Sequence, residues 1–518
     1  MLGIAVITYL VATVIIGLYA ASMVKGAKDF MVAGRSLPLY MNFACVFATW
    51  FGAETVLSVS ATFAKDGLSG ISADPFGASC CLVLVAVFFA RAFYRMDLLT
   101  IGDFYHKRYG KFVEVVTSVV ITISYIAWTS AQLTALGLVL HVLADGTIGE
   151  GFLSLNNSIV IGASIVFIYT VFGGMWSVAL TDMIQTVVII VGLTVIAIFL
   201  GNQAGGVGHV ISEASAAGKL QLFPTGGATE WFAFLAAFIT VAFGSIPQQD
   251  VFQRVTSAKD ERTAVTGTLL GGLFYFVFAF VPMFIAYSAI VIDPSFTGLF
   301  AAEDARSIQR ILPDLILQRT PFWIQVLFFG ALLSAILSTA SGTLLAPASL
   351  FTENVLRPFF PNINEKNMLV VLRSVLLIFA IAATINAVTS NKTMYEMVQN
   401  AYTVTLVGAF VPLVLGIYWR QASTQGAVFS IVFGSSIWAV NYFGWSYIEY
   451  FGWGEAASFY FGWGEEAIVP AQLYGLLASF IGMIVGSLIP QFINPRIQHH
   501  STDASGSDSR SSSRIVGH

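Results

Sequence analysis

The sequence predicts an all-α integral membrane protein with about thirteen transmembrane helices. Hydrophobic residues make up 57% of the 518 residues and only 10% are charged, far below the roughly 25% of an average soluble domain. Apolar runs of about twenty residues recur along the chain, and a helix needs that length to cross a bilayer. The formal net charge of −4 favours no nucleic-acid partner, so the expected partners are the lipid bilayer and small molecules.

Thirteen apolar segments follow one another along the chain, and we number them as spans in that order. The first has no basic leader region or small-residue cleavage site, so we expect it to remain as a helix. The approximate centres are Thr13, Trp50, Val85, Trp128, Ile165, Ile190, Phe238, Phe278, Ala335, Phe379, Thr405, Phe433 and Ala478.

The distribution of basic residues predicts the orientation of these spans. With the N-terminus outside, the cytoplasmic connections and tail hold 18 of the 24 lysines and arginines, and the opposite face holds the remaining 6. Cytoplasmic loops carry an excess of basic residues. We therefore expect a plasma (inner) membrane protein with its N-terminus outside and its C-terminus in the cytoplasm.

The second and seventh spans are interrupted. The second contains FATWFGAETVLSVS, with Gly52 and Glu54 near its middle, and the seventh ends in GSIPQQDVFQR. A broken helix in a membrane must line a cavity or bind an ion with its freed carbonyls, and two such helices at matching positions indicate a transporter binding site. The alternative is that glycine and proline only permit close helix packing.

Hydroxyl groups share one face of the ninth span, which contains LLSAILSTASGTLL. Ser334, Ser338 and Ser341 follow helical spacing, and Thr339 lies beside Ser338. A single membrane hydroxyl usually bonds its own helix. A cluster of them, however, offers the oxygen ligands that a small hard cation such as Na⁺ requires.

Acidic residues inside a membrane are functional candidates because a charge there is costly. Asp182, in GGMWSVALTDMIQ, is expected either to cap the sixth span or to serve as a station on a cation path. Glu54 could bind substrate, pair with a neighbour or stay protonated. Asp250 and Arg254 have the spacing of a local ion pair.

Trp50 and Trp128 lie away from the interfacial belts where membrane tryptophans concentrate. They could pack, or they could hold an organic substrate by their ring faces. Gln132 lies one turn after Trp128 on the same helix face. No nucleophile–base set, metal cluster or phosphate loop indicates an enzyme, and Cys45, Cys80 and Cys81 are expected to be reduced and buried.

Four ordered motifs make the chain resemble the sodium:solute symporter family across about residues 5–490. They are the GGMWSVALTDMIQ stretch, LLTIGDFYHKRYG after the third span, VFQRVTSAKDERTA after the seventh, and PLVLGIYWRQASTQGAVFSI near the twelfth. The resemblance implies the leucine-transporter-type inverted-repeat fold, with five helices in each repeat. It also implies Na⁺-driven uptake by alternating access, with no organic cofactor.

The resemblance further implies a sodium site. Backbone carbonyls of Ala48, Phe51 and Ala335 and the hydroxyls of Ser338 and Thr339 match the family's ligands, and Asp182 matches an acid on its intracellular sodium path. The implied division is 1–36 for the first span and its loop, 37–200 and 230–420 for the two repeats, 201–229 for an extracellular loop, 421–492 for the last two spans, and 493–518 for a disordered tail.

Within the family, the chain is most similar in appearance to the high-affinity choline transporters. Trp50 and Trp128 match two aromatic residues of that branch's choline cage, but Gln248 replaces a tryptophan and Ala78 stands where a tyrosine is expected. A more hydrogen-bonding solute is therefore favoured over a quaternary amine. We assign Glu54, Gln132, Gln248, Gln249 and Gln399 to the solute site together with the two tryptophans.

The expected function is Na⁺-coupled import of a small polar organic solute. A proton-coupled carrier that uses Glu54 or Asp182, and a transporter-like sensor, remain as alternatives. A local duplication at residues 450–467, YFGWGEAASFYFGWGEEA, is expected to form an interfacial aromatic cap.

Overall fold

The computed structural model describes residues 1–24, 26–147, 149, 151–302, 305–360, 362–450 and 468–493. Within these ranges the regular secondary structure is helical, apart from one bridge between Leu37 and Ala258. Most of the aromatic duplication and nearly all of the predicted tail lie outside the described residues. The centres of all thirteen predicted spans fall in helices.

In the described part of the chain, nine helices are long and apolar enough to cross a membrane without a sharp break, which makes this a multi-pass membrane protein. They are Leu2–Ala20, Leu68–Arg95, Lys111–Asp145, Gly174–Gln203, Glu261–Ile292, Phe322–Phe359, Asn367–Thr389, Met394–Tyr418 and Ala471–Leu488.

The second and seventh spans are bent pairs, as the sequence predicted. Leu39–Trp50 meets Glu54–Asp66 at 53°, and Ala228–Gly244 meets Gln249–Thr256 at 46°. Glycine opens the first break at Gly52, and Pro247, which has no amide hydrogen to donate, lies in the second. Counting each pair as one span brings the total to eleven.

The fifth and twelfth predicted spans are also helices, but neither is among these eleven, and the apolar helix of the fifth, Leu155–Ile168, is short. The fifth begins the helix Leu155–Gln203, which is broken at Gly174 (φ 53°, ψ −151°). A side chain at Gly174 would collide with the main-chain oxygen of Phe30, so only glycine fits this close approach. The twelfth is the helix Thr424–Tyr450.

The ninth span lies at the centre of the molecule. Its helix Phe322–Phe351 is buried at every position from Ala331 to Leu350. A helix that is enclosed on all sides must be surrounded by other helices. Its hydroxyl groups therefore face protein and not lipid.

We call Leu39–Trp50 and Gln249–Thr256 the inner halves of the two broken spans, after the orientation predicted from the sequence. Hydrogen bonds at their ends connect these two half-helices. The Leu37 amide donates to Ser257 (3.0 Å), and the Lys259 amide donates to the Leu37 carbonyl (3.0 Å). One turn further in, the Asn42 side chain donates to the main-chain oxygen of Arg254 (2.7 Å). These bonds join the first helix of one predicted repeat to the first helix of the other.

Candidate functional site

The break in the second span leaves carbonyl groups without helical partners. The Phe51 amide closes the last helical bond, to Phe47, and Phe51 itself leaves the helix at φ −87°, ψ 71°. The carbonyls that follow Phe47 have no succeeding turn to bond. Thr339 of the ninth span fills part of this gap, because its hydroxyl donates to Ala48 O (3.3 Å) and to Thr49 O (3.1 Å).

The predicted sodium ligands belong to two elements that contact each other at Thr339 and Ala48. Ala48 and Phe51 end the inner half of the second span, while Ala335, Ser338 and Thr339 lie on the buried helix beside it. All five residues are fully buried. Their chemistry, carbonyl and hydroxyl oxygens with no amine, fits a small hard cation.

Asp182 lies against this group through Ser338. The Ser338 hydroxyl donates to Asp182 Oδ1 (2.6 Å), and Asp182 Oδ2 has no hydrogen-bond partner in the described part of the chain. The sixth span begins at the Gly174 break, so Asp182 lies about two turns inside the helix. The capping alternative is wrong, because the free amides of a helix lie in its first turn only.

The predicted ion pair between Asp250 and Arg254 does not form. The Asp250 carboxylate accepts the hydroxyl of Tyr125, and the Arg254 guanidinium reaches only the main-chain oxygen of Asp250 (3.4 Å). Its Nε donates instead to the Thr49 hydroxyl (2.9 Å). Helical spacing alone could not reveal this, because both partners come from other spans.

A second polar group forms around Glu54, just beyond the break. Trp128 Nε1 donates to one carboxylate oxygen (3.1 Å), and Gln132 Nε2 donates to the other (2.5 Å). Gln132 also accepts the Ala53 amide (3.2 Å) through its Oε1. Three of the predicted solute-site residues therefore form one network, in which two helices fix the direction of the carboxylate.

Aromatic rings surround this network on one side. Trp50 and Trp128 are 6.2 Å apart between ring centroids, and Tyr402 stands 6.0 Å from the first ring and 5.4 Å from the second. Tyr402 was not among the predicted residues. The available signal was its position three residues after Gln399, on the same face of the eleventh span.

Trp50, Glu54 and Tyr402 border an inner cavity that is nearly closed. Its volume is about 10 Å³, about the space of one water molecule. Glu54, Asp74 and Gln399 are its hydrogen-bonding side chains apart from the tyrosine hydroxyls and the Trp50 indole N–H, and no lysine or arginine is among the described residues that line it. The lining is Trp50, Glu54, Asp74, Ala78, Val241, Tyr395, Val398, Gln399 and Tyr402.

Asp74 is a second buried carboxylate that sequence reasoning missed. It accepts the hydroxyl of Tyr275 and that of Thr55 (3.3 Å), and these two hydroxyls are 3.0 Å apart. An acid inside the otherwise apolar third span was the signal that could have found it. Asp74 and Glu54 line the same cavity.

An outer vestibule of about 490 Å³ lies next to the inner cavity. Asp66, Glu230 and Phe234 line it, together with five residues of the segment after the sixth span: Gly218, Gln221, Phe223, Pro224 and Thr225. The Leu68 amide donates to Lys219 O (2.8 Å) and holds that loop in place. Tyr395 and Gln399 line both spaces, so these two side chains form the wall between them.

The decisive comparison is with protein families. A model described as "Sodium:solute symporter family" matches residues 30–434, well over half of the chain. The chain belongs to the sodium:solute symporter family. As a member of that family, the protein imports a solute together with Na⁺, which confirms the function predicted from the sequence.

Other members of the sodium:solute symporter family are similar along most of their length. The chain is 27% identical over 449 residues to High-affinity choline transporter 1 from Caenorhabditis elegans, covering 83% of this chain and 76% of that protein. It is 26% identical to High affinity choline transporter 1 from Homo sapiens, over 83% and 75%. It is 24% identical to the osmoregulated proline transporter of Bacillus subtilis, over 83% and 86%.

Two solved structures are similar in fold. A Na⁺-coupled sialic acid symporter in a substrate-bound outward-open state has a TM-score of 0.74 at 18% identity, covering 94% of this chain and 97% of that one. A nucleobase-cation-symport-1 family transporter has a TM-score of 0.57 at 14% identity, over 88% and 93%. At such identities the likeness shows the fold alone, and it confirms the leucine-transporter-type architecture.

Within this symporter, four predicted solute residues do not line the inner cavity. Trp128 and Gln132 donate to Glu54, which does line it. Gln248 donates to Ser124 (3.1 Å) and Thr405 (3.3 Å). Gln249 accepts the Ile101 amide (2.8 Å) at the start of the helix Ile101–Tyr109. Gln249 thus joins the seventh span to that helix, and neither amide lines the cavity.

Proposed function

We propose that the solute is a small organic cation that carries N–H groups and binds in the inner cavity. The observation that carries the proposal is the pair of buried carboxylates, Glu54 and Asp74, on a cavity whose described lining contains no lysine or arginine. Two acids without a basic partner are costly in a membrane protein. A cationic solute supplies the missing charge.

The aromatic rings support the same assignment. Trp50, Trp128 and Tyr402 present ring faces within one cluster, and a cation over such faces is stabilised by about 0.5–2 kcal/mol. Because Trp128 also donates to Glu54, the ring and the carboxylate keep a fixed relation. The rings and the carboxylate are therefore already positioned to bind a charged nitrogen when no solute is present.

The carboxylates and the Gln399 amide distinguish between classes of cation. A primary or secondary ammonium group can donate to them, whereas a quaternary ammonium group cannot. Ala78 and Val241 occupy parts of the wall where further rings would complete an all-aromatic cage. Choline, the solute named for several relatives, is therefore an alternative and not the favoured solute. An amino acid such as proline would place its carboxylate beside two acids.

We propose Ala48, Phe51, Ala335, Ser338 and Thr339 as the sodium ligands, with Asp182 as the next station toward the cytoplasm. The contact between the Thr339 hydroxyl and Ala48 O (3.3 Å) supports this site, as does the hydrogen bond from Ser338 to Asp182 (2.6 Å). Ser338 would pass the ion between a neutral site and a carboxylate. Sodium is the coupling ion, and no organic cofactor is required.

The outer vestibule supports alternating access with the N-terminus outside and the C-terminus in the cytoplasm of a plasma (inner) membrane protein. In that orientation the vestibule faces outward. The wall formed by Tyr395 and Gln399 would open to admit the solute, and the two inner half-helices would turn together, away from the other spans, to release it. The repeats at 37–200 and 230–420 are the proposed moving units.

A proton-coupled carrier is the second candidate, because the same two buried carboxylates could carry protons in place of a cationic solute. Asp74 accepts hydroxyl bonds from Tyr275 and Thr55, and Glu54 lines the same cavity. In that case uptake would follow the pH gradient and not the sodium gradient. The enzymatic and nucleic-acid-binding classes have no support in this site.

The test is a ligand screen on the purified protein by thermal unfolding, since a ligand of the folded state raises its stability. Ethanolamine, its N-methylated derivatives up to choline, proline, lactate and glucose are compared in NaCl and in KCl. We expect stabilisation by ethanolamine that needs Na⁺ and declines with each added methyl group. Stabilisation only by choline would contradict the N–H requirement, and stabilisation by lactate or glucose alone would contradict a cationic solute.

A transport assay then separates the two coupling ions. Proteoliposomes with an inward Na⁺ gradient and equal pH on both sides are compared with proteoliposomes that have only an inward proton gradient. We expect uptake of the stabilising compound in the first case only. Uptake in the second case alone would establish the proton-coupled candidate.

A further inference from the structure

Arg254 is a buried arginine that belongs neither to the proposed sodium ligands nor to the lining of the inner cavity. It lies on the inner half of the seventh span, Gln249–Thr256, and is 2% exposed. Its Nε donates to the Thr49 hydroxyl (2.9 Å) and its Nη1 to Asp250 O (3.4 Å), whereas Nη2 has no partner among the described residues. A buried guanidinium with a free N–H group is unfavourable, so its presence needs a reason.

The free end of the side chain points at the ninth span, near the proposed sodium ligands. A Cβ added at Gly342 would lie 2.5 Å from Arg254 Nη2, so glycine at that position allows the approach. Gly342 is one turn after Ser338 and therefore on the same helix face. The guanidinium thus faces the part of the helix where Ser338 holds Asp182.

The same arginine is fastened next to the proposed sodium ligands of the second span. Thr49, which accepts from Arg254 through its hydroxyl, also receives the Thr339 hydroxyl on its main-chain oxygen (3.1 Å). Thr49 follows Ala48 directly. Ser338, on the helix face that Arg254 approaches, donates to Asp182 Oδ1 (2.6 Å), and Asp182 Oδ2 accepts no hydrogen bond among the described residues.

We infer that the guanidinium of Arg254 competes with Na⁺ for the negative charge of Asp182 and so promotes release of Na⁺. The inference rests on the proposed sodium site. A sodium ion beside Ser338 and the Arg254 guanidinium are like charges that share one carboxylate, and like charges at short range in a poorly screened interior repel strongly. Arg254 is therefore a positioning residue: it touches neither solute nor ion and sets the affinity for Na⁺.

The test measures Na⁺ binding to the purified full-length protein without any solute. Tryptophan fluorescence is titrated with NaCl at constant ionic strength, because Trp50 and Trp128 lie beside the site. We expect Arg254→Gln to bind Na⁺ about tenfold more tightly than the unmodified protein, because a nearby positive charge has been removed. Arg254→Lys keeps the charge and is expected to stay within about threefold of the unmodified protein.

The exposed Arg262, in the first turn of the helix Glu261–Phe278, provides a matched control. Arg262→Gln removes the same charge from the same region and is expected to leave Na⁺ affinity unchanged. Na⁺ release, followed by stopped-flow dilution, is expected to be slower for Arg254→Gln. Unchanged or weaker Na⁺ binding by Arg254→Gln would overturn the inference, since a purely structural role predicts no gain in affinity.

A variant pair keeps the test decisive if Arg254→Gln alone does not fold. Asp250→Asn combined with Arg254→Gln removes one buried charge of each sign, and it is compared with Asp250→Asn alone. Tighter Na⁺ binding in the double variant supports the inference, and equal binding overturns it. Absence of any Na⁺ response in the unmodified protein would instead contradict the proposed sodium site itself.

Discussion

The backbone of Gly52 lies between the Thr339 hydroxyl and the Glu54 carboxylate, and it leaves no room for a side chain. A Cβ added at Gly52 would lie 2.9 Å from Thr339 Oγ1 and 2.9 Å from Glu54 Cδ, closer than such carbons approach other atoms. The proposed sodium site and the inner cavity therefore share one wall. A shift of that wall on the sodium side must also move the carboxylate on the solute side, and this is a physical route for coupling the two sites.

The shared wall predicts that Gly52→Ala weakens both sites at once. Overpacking of this kind costs about 1–3 kcal/mol, so we expect the concentrations of Na⁺ and of solute for half-maximal stabilisation to rise about fivefold or more. Both are measured by thermal unfolding of the purified variant. Gly330→Ala on the ninth span, where an added Cβ meets nothing within 4 Å, is the control. A change in only one of the two affinities would refute the shared wall.

The Thr339 hydroxyl is expected to contribute directly to Na⁺ affinity. Thr339→Val removes the oxygen that contacts Ala48 O (3.3 Å) and keeps the shape of the side chain. Loss of one oxygen ligand is expected to raise the Na⁺ concentration for half-maximal binding by about tenfold. Thr343→Val, one turn further along the same helix, is the control, because its hydroxyl bonds its own helix at Ala340 (3.2 Å). Equal Na⁺ affinities for the two variants would place the site elsewhere.

Asp182→Asn is expected to lower the maximal rate of uptake much more than it lowers the amount of folded protein in the membrane. The asparagine oxygen can still accept from Ser338, but the charge that attracts the cation is gone. We expect surface expression close to that of the unmodified protein and a maximal uptake rate lower by about tenfold or more. Uptake and surface labelling are measured on the same cells. Loss of the protein from the membrane would instead assign Asp182 a structural role.

Tyr402→Leu is expected to weaken solute binding and leave Na⁺ binding intact. The substitution removes the ring that lies 5.4 Å from Trp128 and 6.0 Å from Trp50 and puts an apolar side chain in its place. Loss of one ring face lowers affinity for a cation by about three- to thirtyfold. Tyr19→Leu, at a tyrosine that is 69% exposed on the first span, is the control. If solute affinity were unchanged, Tyr402 would only pack.

The elements of this fold were predictable because the signals for them are local. Interruption of the second and seventh spans follows from glycine and proline, which weaken or remove helical bonds at the positions they occupy. The serines of the ninth span share a face because a helix repeats every 3.6 residues. Trp128 and Gln132 reach Glu54 together for the same reason.

The composition of the inner cavity was harder to predict because it depends on how spans pack against one another. Asp74 and Tyr402 belong to the third and eleventh spans, and no spacing within either span shows that it faces Glu54. The ion pair predicted for Asp250 was wrong for the same reason, and the contact that Gln249 makes could not be predicted either. Their partners, Ile101 and Tyr125, lie more than a hundred residues away in the chain. A sequence read without homologues gives the chemistry available on each helix but not its neighbours.

The backbone pairing of Leu37 with Ser257 and Lys259 has a mechanical consequence. Two helices that are fastened at their ends, by 3.0 Å bonds in both directions, cannot swing apart independently. The inner halves of the second and seventh spans must turn as a single lever whose pivot lies at the two breaks. The amide hydrogens of Leu37 and Lys259 should consequently exchange with solvent equally slowly in the outward-facing and inward-facing states. The amide hydrogens around the two breaks should exchange at different rates in the two states.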